Sequence, residues 1–241
     1  MKSKPLALAA LTIVFALSCT EVPDYIEPPE PPPESNIIYG DDLVDSRDGQ
    51  TYKTVVIGTQ TWMAENLNLD IENVYVIEDL IPLSLCNSCN YSEIGRLYPF
   101  SVADAICPEG WHLPSDGEWT QLTNYVGINA GKKLKSNYVW DGWDTYGFSA
   151  LSAGSGYYGC SVNSTAYTIY YCEINNLWMN SFFRVGDAGE WWTSTMASGS
   201  HAYTRRVSSE NDDVIRETEN INLVESNGYR FYYHSVRCIK D

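Results

Sequence analysis

The clearest hydrophobic pattern lies at the C-terminal end. Tyr229, Phe231, Tyr233, Ser235 and Arg237 alternate with Arg230, Tyr232, His234, Val236 and Cys238. A period of two is the signature of a strand with two different faces. Near the other end, Ser46 to Leu67 reads as paired strands. Asp48-Gly49 is a turn signal, Tyr52 to Ile57 is a β-rich run, and Gly58-Thr59 turns the chain back toward Trp62. Helical patterning is confined to the middle. Pro99 is a good first-turn residue for a short helix over Leu97 to Ile106. Ser115-Asp116-Gly117-Glu118 fits a capping box, Trp119, Leu122, Thr123 and Val126 follow at helical spacing, and Gly127 closes the helix. Ala130 to Ser136 predicts one more helical turn. Residues 68–95 read as irregular. Glycine-punctuated aromatic segments dominate beyond Ser136, and no internal repeat is visible. The expected class is therefore α+β: two or three short helices, antiparallel strands and long loops.

The first forty residues follow a different pattern. Lys2 and Lys4 precede an apolar run from Leu6 to Leu17, which ends at Ser18 before Cys19. This is the layout of a signal peptide over residues 1–18. Ala16-Leu17-Ser18-Cys19 resembles a lipobox, with Ala16 where leucine is usual, and marks Cys19 as the lipid carrier. Pro23, Pro28, Pro29, Pro31, Pro32 and Pro33 then exclude helix and sheet. Residues 19–40 are read as a tether; in extended polyproline form, at about 3.1 Å per residue, it would span on the order of 50 Å. Residues 41–241 remain for one domain, long enough to bury a core. Together these features predict an exported chain, lipid-anchored to the outer membrane or cell surface.

Composition sharpens this picture. The chain holds 18 Tyr and 8 Trp against 4 Met, with a formal net charge of -16. An acidic chain has no basic footprint for phosphates, which argues against nucleic acid as a partner. Once Cys19 carries lipid, Cys86, Cys89, Cys107, Cys160, Cys172 and Cys238 remain. An even number in an exported chain reads as disulfides, and counting alone leaves the pairing open. Cys86-Asn-Ser-Cys89 could be half a zinc site or a redox pair. It lacks further ligands at suitable spacing and a helix start, so a structural disulfide is the better reading.

Signs of catalysis are sparse. Ser115 and Glu118 are expected to serve the helix cap, and His112 has no evident structural task. Nothing nearby forms a nucleophile–base pair. Ser155 lacks the spacing of a nucleophile elbow. Sequence does not place carboxylates such as Asp141 and Asp144 across a scissile bond.

Several landmarks in order resemble one known family. They are Asp48-Gly49-Gln50-Thr51-Tyr52 with Val56-Ile57-Gly58, Gln60 to Leu67 (QTWMAENL), and Gly95-Arg96-Leu97-Tyr98. Cys107 to Pro114 (CPEGWHLP) with Glu118-Trp119, Tyr146-Gly147-Phe148, Trp191-Trp192-Thr193-Ser194 and Ser235-Val236-Arg237-Cys238 complete the set. The pattern resembles the Fibrobacter succinogenes major paralogous domain (FISUMP), found on secreted and lipoprotein chains and largely undefined in activity. It is also similar to C-type-lectin-like and formylglycine-generating-enzyme-like folds. The lectin resemblance implies a C-type-lectin-like domain stapled by a Cys107–Cys238 disulfide, which leaves Cys86–Cys89 and Cys160–Cys172 as local pairs.

The resemblance and the aromatic surplus favour a non-enzymatic binding or adhesion module for polysaccharide or another surface ligand. Tyr157, Tyr158, Trp178 and Trp192 are the candidate platforms, because sugar sites use aromatic faces with polar rims. The competing expectation for each is burial in the core. Calcium-dependent binding would need a carboxylate cluster; Glu210, Asp212 and Asp213 form the compact one, although a solvated hairpin turn explains them as well. No other cofactor is implied. One alternative is a scaffold subunit that binds a surface protein. Another is an enzyme like the formylglycine-generating ones, which use reactive cysteines with copper; here every cysteine after Cys19 has a plausible disulfide partner.

Overall fold

The computed structural model describes residues 33–71, 94–138, 140–161, 179–221, 223–225 and 228–241. Among them the architecture is mostly antiparallel β-sheet with three short helices. Strands β1 (Leu43–Val44) and β2 (Thr51–Tyr52) form a small hairpin. Strands β3 (Thr54–Ile57) and β4 (Gln60–Met63) turn at Gly58, whose φ of 64° lies in the left-handed region that glycine adopts without strain. They continue through β14 (Ile239–Lys240) to β6 (Trp111–His112) as a four-stranded sheet, so the C-terminal residues are woven in beside Gln60–Met63.

The large sheet has eight strands. Its path is β11 (Asn211–Asn220), β10 (His201–Ser208), β9 (Ala188–Ser198), β13 (Gly228–Ser235), β7 (Ser155–Ser161) and β8 (Met179–Phe183). Strands β5 (Leu97–Pro99) and β12 (Leu223–Glu225) also pair with β13. Most pairings are antiparallel; β13 meets β9 in parallel at Ser235 and Trp191. The alternating C-terminal segment is thus the central β13.

The helix expected over Leu97 to Ile106 is shorter than its pattern predicts. Leu97–Pro99 is claimed by β13 as β5, and only α1 (Phe100–Ala103) remains helical. Tertiary pairing overrides the local preference. The capped helix forms as predicted: in α2 (Asp116–Val126) the Glu118 N–H donates to Ser115 Oγ at 3.2 Å, and Glu118 Oε2 accepts from the Ser115 N–H at 2.7 Å. Gly127 is its C-cap, and α3 (Ala130–Leu134) follows.

The two larger apolar cores sit on opposite faces of the large sheet, with a smaller cluster at Ile94, Leu97, Ala153 and Tyr233. Successive strand residues point to opposite sides, so neighbouring tryptophans part company. Trp191 joins Trp62, Trp119 and Phe148 under α2 and α3, with ring centroids of Trp119 and Trp191 5.8 Å apart. Trp192 enters the other core beside Tyr98, Leu113 and Phe100. Its Nε1–H donates to Tyr98 O at 2.7 Å. A Cys107–Cys238 disulfide joins the approach to α2 to the residue before β14, across a sequence separation of 131. No helix of the described residues is long and apolar enough to cross a membrane.

Candidate functional site

The Trp192 face of the large sheet also holds a polar cavity of about 700 Å³. Its wall is built from residues two apart on neighbouring strands: Thr204 on β10, Glu217 and Glu219 on β11, Tyr232 and His234 on β13, with Glu190 from β9. Cross-strand register aligns them, since Thr204 sits opposite Glu217 and Arg206 opposite Glu190. Phe183 and Arg184, at the end of β8, close one side.

The floor is an acid–histidine–acid row, buried at Glu190 and His234 and half-buried at Glu219. His234 is 1% exposed and Glu190 4%. His234 Nδ1 lies 3.3 Å from Glu190 Oε2, and Nε2 lies 3.9 Å from Glu219 Oε2. Neither ring nitrogen completes a hydrogen bond. The edge of Trp192 packs against the imidazole, with centroids 4.3 Å apart. Burial alone would raise the Glu190 carboxyl, but His234 and Arg184 outweigh it and hold Glu190 at about 2. Arg206 binds Glu217 in bidentate fashion, at 2.8 and 3.0 Å. Glu219 behaves in the opposite way: burial, together with the charge of Glu190, pushes its carboxyl above the usual range. The row therefore keeps one carboxylate ionised and leaves the other short of a counter-charge.

At the rim, three aromatic rings run across three strands. Phe183 stacks on Tyr157 with centroids 5.4 Å apart, and Tyr157 meets Tyr232 at 6.1 Å. Tyr157, one of the aromatic candidates, is thus brought beside the cavity. Trp192 is not available as a platform. It is 0% exposed, because the alternation that puts Glu190 in the cavity carries Trp192 deeper into the core. Tyr158 belongs to β7 by its backbone, as does Cys160. Trp178, Cys172, Cys86, Cys89 and Cys19 lie outside the described residues.

The acidic candidates Glu210, Asp212 and Asp213 fall at the turn between β10 and β11 and the start of β11. Asp212 faces lysines, 3.8 Å from Lys135 Nζ and 4.0 Å from Lys132 Nζ. Among the described residues no group of three acids, histidines or cysteines is arranged to hold a metal ion. A carboxylate already facing two ammonium groups is a poor calcium ligand, so the hairpin reading of this segment is the better one. His112 also needs correction. Its Nδ1 lies 2.7 Å from Asp241 Oδ1 and its Nε2 2.9 Å from Glu118 Oε1, which ties the chain end to the start of α2. Partial burial pulls His112 down, but these two carboxylates prevail and raise it.

The family model of the Fibrobacter succinogenes major domain matches residues 55–240. The chain belongs to this family. No curated protein and no solved structure matches it. The landmarks that carry the Fibrobacter succinogenes major domain signature map largely onto the frame. Asn66 Oδ1 accepts from Trp191 Nε1 at 2.8 Å and from Arg237 Nη2 at 2.8 Å, so three landmark segments meet at one amide. Arg237 is fully buried, which lowers its guanidinium to about 9, still charged at neutral pH. Cys107 and Cys238 form the clasp. The cavity residues Glu190, Glu217, Glu219, Tyr232 and His234 lie between landmarks. The sequence signal for them was weak: polar pairs two residues apart in strands, which do not announce which strands are neighbours.

Proposed function

We propose that the chain is an exported, lipid-anchored binding module that takes a saccharide in the cavity floored by Glu190, His234 and Glu219. The observation that carries this reading is the Phe183–Tyr157–Tyr232 row beside a polar hollow. Sugar rings present one apolar face and a periphery of hydroxyls, and such sites pair aromatic faces with a few fixed polar groups. Export and anchoring rest on the signal-like start, the cysteine after Ser18 and the acidic proline-rich stretch. A C-type-lectin-like topology belongs to the same reading. Its support is the clasp between a helix-associated cysteine and one beside the terminal strand. We read the role as non-catalytic; the support is that Cys107 and Cys238 are bonded to each other and so offer no reactive thiol.

The test is a glycan and polysaccharide binding screen of the full chain, with calcium and again with chelator. Binding indifferent to chelator and weakened about tenfold or more by Tyr232→Ala supports the aromatic cavity. Absence of binding to every glycan overturns the reading in favour of a scaffold for a protein partner. Binding that vanishes with chelator overturns the choice of site.

A further inference from the structure

Resting on the saccharide reading, the charges in the cavity narrow its ligand. Three carboxylates face two arginines there. Arg184 is taken by Glu190 and Arg206 by Glu217. Glu219 has no lysine or arginine within ion-pair distance among the described residues; its nearest basic group is His234 at 3.9 Å. Its side chain is only 28% exposed. The other titratable groups acting on it are Glu190 from β9 and His201 from β10. A half-buried acid with this surplus of negative neighbours lacks a positive charge.

A second observation points into the same hollow. His234 lines the cavity with both ring nitrogens buried and no completed hydrogen bond; Nδ1 faces Glu190 Oε2 at 3.3 Å, whereas Nε2 has no partner nearer than Glu219 at 3.9 Å. Native interiors rarely leave such groups unmatched, so a polar group entering the hollow would find a partner in Nε2. Tyr232 and Phe183 at the rim can face a sugar ring, and an ammonium over an aromatic face gains further attraction. An anionic sugar would meet the carboxylate of Glu219, which no arginine offsets.

We propose that the cavity selects a saccharide bearing a free amine, with the ammonium on Glu219 and a neighbouring hydroxyl on His234. Aromatic rings at the rim suit a pyranose better than a flexible polyamine, which has no face to lay on a ring.

The experiment compares two tetrasaccharides that differ only at nitrogen: a chitosan tetramer with free amines and the fully N-acetylated chitin tetramer. Calorimetry is run on the full chain in a buffer acid enough to keep the amines protonated. One charge-assisted contact predicts about tenfold tighter binding of the free amine. Glu219→Gln should abolish that preference, and Glu219→Asp, which keeps the charge, should restore part of it. Asp42→Asn, which removes an exposed carboxylate at the Lys53 ion pair, should leave the preference intact. Equal binding of both tetramers overturns the amine inference and leaves the saccharide reading standing. A preference that survives Glu219→Gln, or falls equally with Asp42→Asn, also overturns it, since general attraction to an acidic chain then explains the data. Binding of neither tetramer, beside a positive glycan screen, overturns the inference alone. An empty glycan screen overturns the saccharide reading beneath it.

Discussion

Replacing Asn66 with alanine tests whether one buried amide ties the frame together. Asn66 is 2% exposed. Its Oδ1 accepts from Trp191 Nε1 at 2.8 Å, Arg237 Nη2 at 2.8 Å and Arg237 Nε at 3.1 Å, while its Nδ2 donates to Ile94 O at 2.8 Å. Among the described residues Arg237 has no carboxylate partner; it keeps Phe148 O and the face of the Phe148 ring, 4.3 Å away. Alanine strips the guanidinium of its side-chain acceptor in a place water does not reach. Bonds to a charged group contribute about 1.5–3 kcal/mol, and leaving a buried charge uncompensated costs about 3–5 kcal/mol. We expect Asn66→Ala to lose about 4 kcal/mol. That is a large share of the roughly 5–15 kcal/mol by which domains are stable. With a urea slope of about 3 kcal/mol/M, the midpoint should fall by about 1.3 M. Gln121→Ala is the control. Its amide reaches Thr59 Oγ1 at the surface, at 2.9 Å, and its loss should cost at most about 0.5 kcal/mol. Arg237→Met in the Asn66→Ala background should cost less than the sum of the two changes, because the stranded charge is gone. A midpoint shift under about 0.3 M for Asn66→Ala, with an unchanged slope, would refute the reasoning.

Two further expectations follow from the frame and the cavity. The Cys107–Cys238 bond closes a loop with a separation of 131, worth about 5 kcal/mol in the chain-entropy model, so Cys107→Ser with Cys238→Ser should unfold at markedly lower temperature in a thermal scan. An unchanged melting temperature would show that the clasp does not constrain the unfolded chain. The second concerns Glu190, held at about 2 against an ordinary 4.5. A depressed carboxyl stabilises the fold fully above the unfolded value and loses that contribution as pH falls from 4.5 toward 2. The amount is on the order of 3 kcal/mol, so urea midpoints at pH 5.5 and pH 3 should diverge in the native chain and diverge less in Glu190→Gln.

The helix at Ser115 was legible because its information is local: cap, apolar spacing and terminating glycine fall within thirteen residues. The alternating strand at the C-terminus was legible for the same reason. What the pattern missed at Leu97–Pro99 is non-local. Those residues read as the start of a helix until β13, more than a hundred residues later, supplies the strand partner. His112 was illegible in the same way, since one of its two carboxylate partners is the final residue of the chain.

The aromatic candidates show where composition fails as a guide to function. A surplus of tryptophan and tyrosine serves both a core and a sugar platform, and a sequence does not say on which side of a strand each ring falls. Trp191 and Trp192 are adjacent and enter different cores. Of the described aromatic candidates, the ring brought beside the cavity is Tyr157, selected by its register opposite Tyr232 on a strand more than seventy residues away. The division of labour has a consequence for the family. In this chain the landmark residues supply the Asn66–Trp191–Arg237 hub and the Cys107–Cys238 clasp, which hold the sheet. The cavity wall comes from the strand positions between them, at Glu190, Glu217, Glu219, Tyr232 and His234. If the cavity is a binding site as proposed, a domain arranged this way can change its ligand without touching its frame, because substitutions on the cavity face of β11 and β13 alter charge and shape while the buried hub keeps its partners. Members that share the landmarks but carry a different charge pattern at these five positions should therefore keep the sheet and bind different ligands.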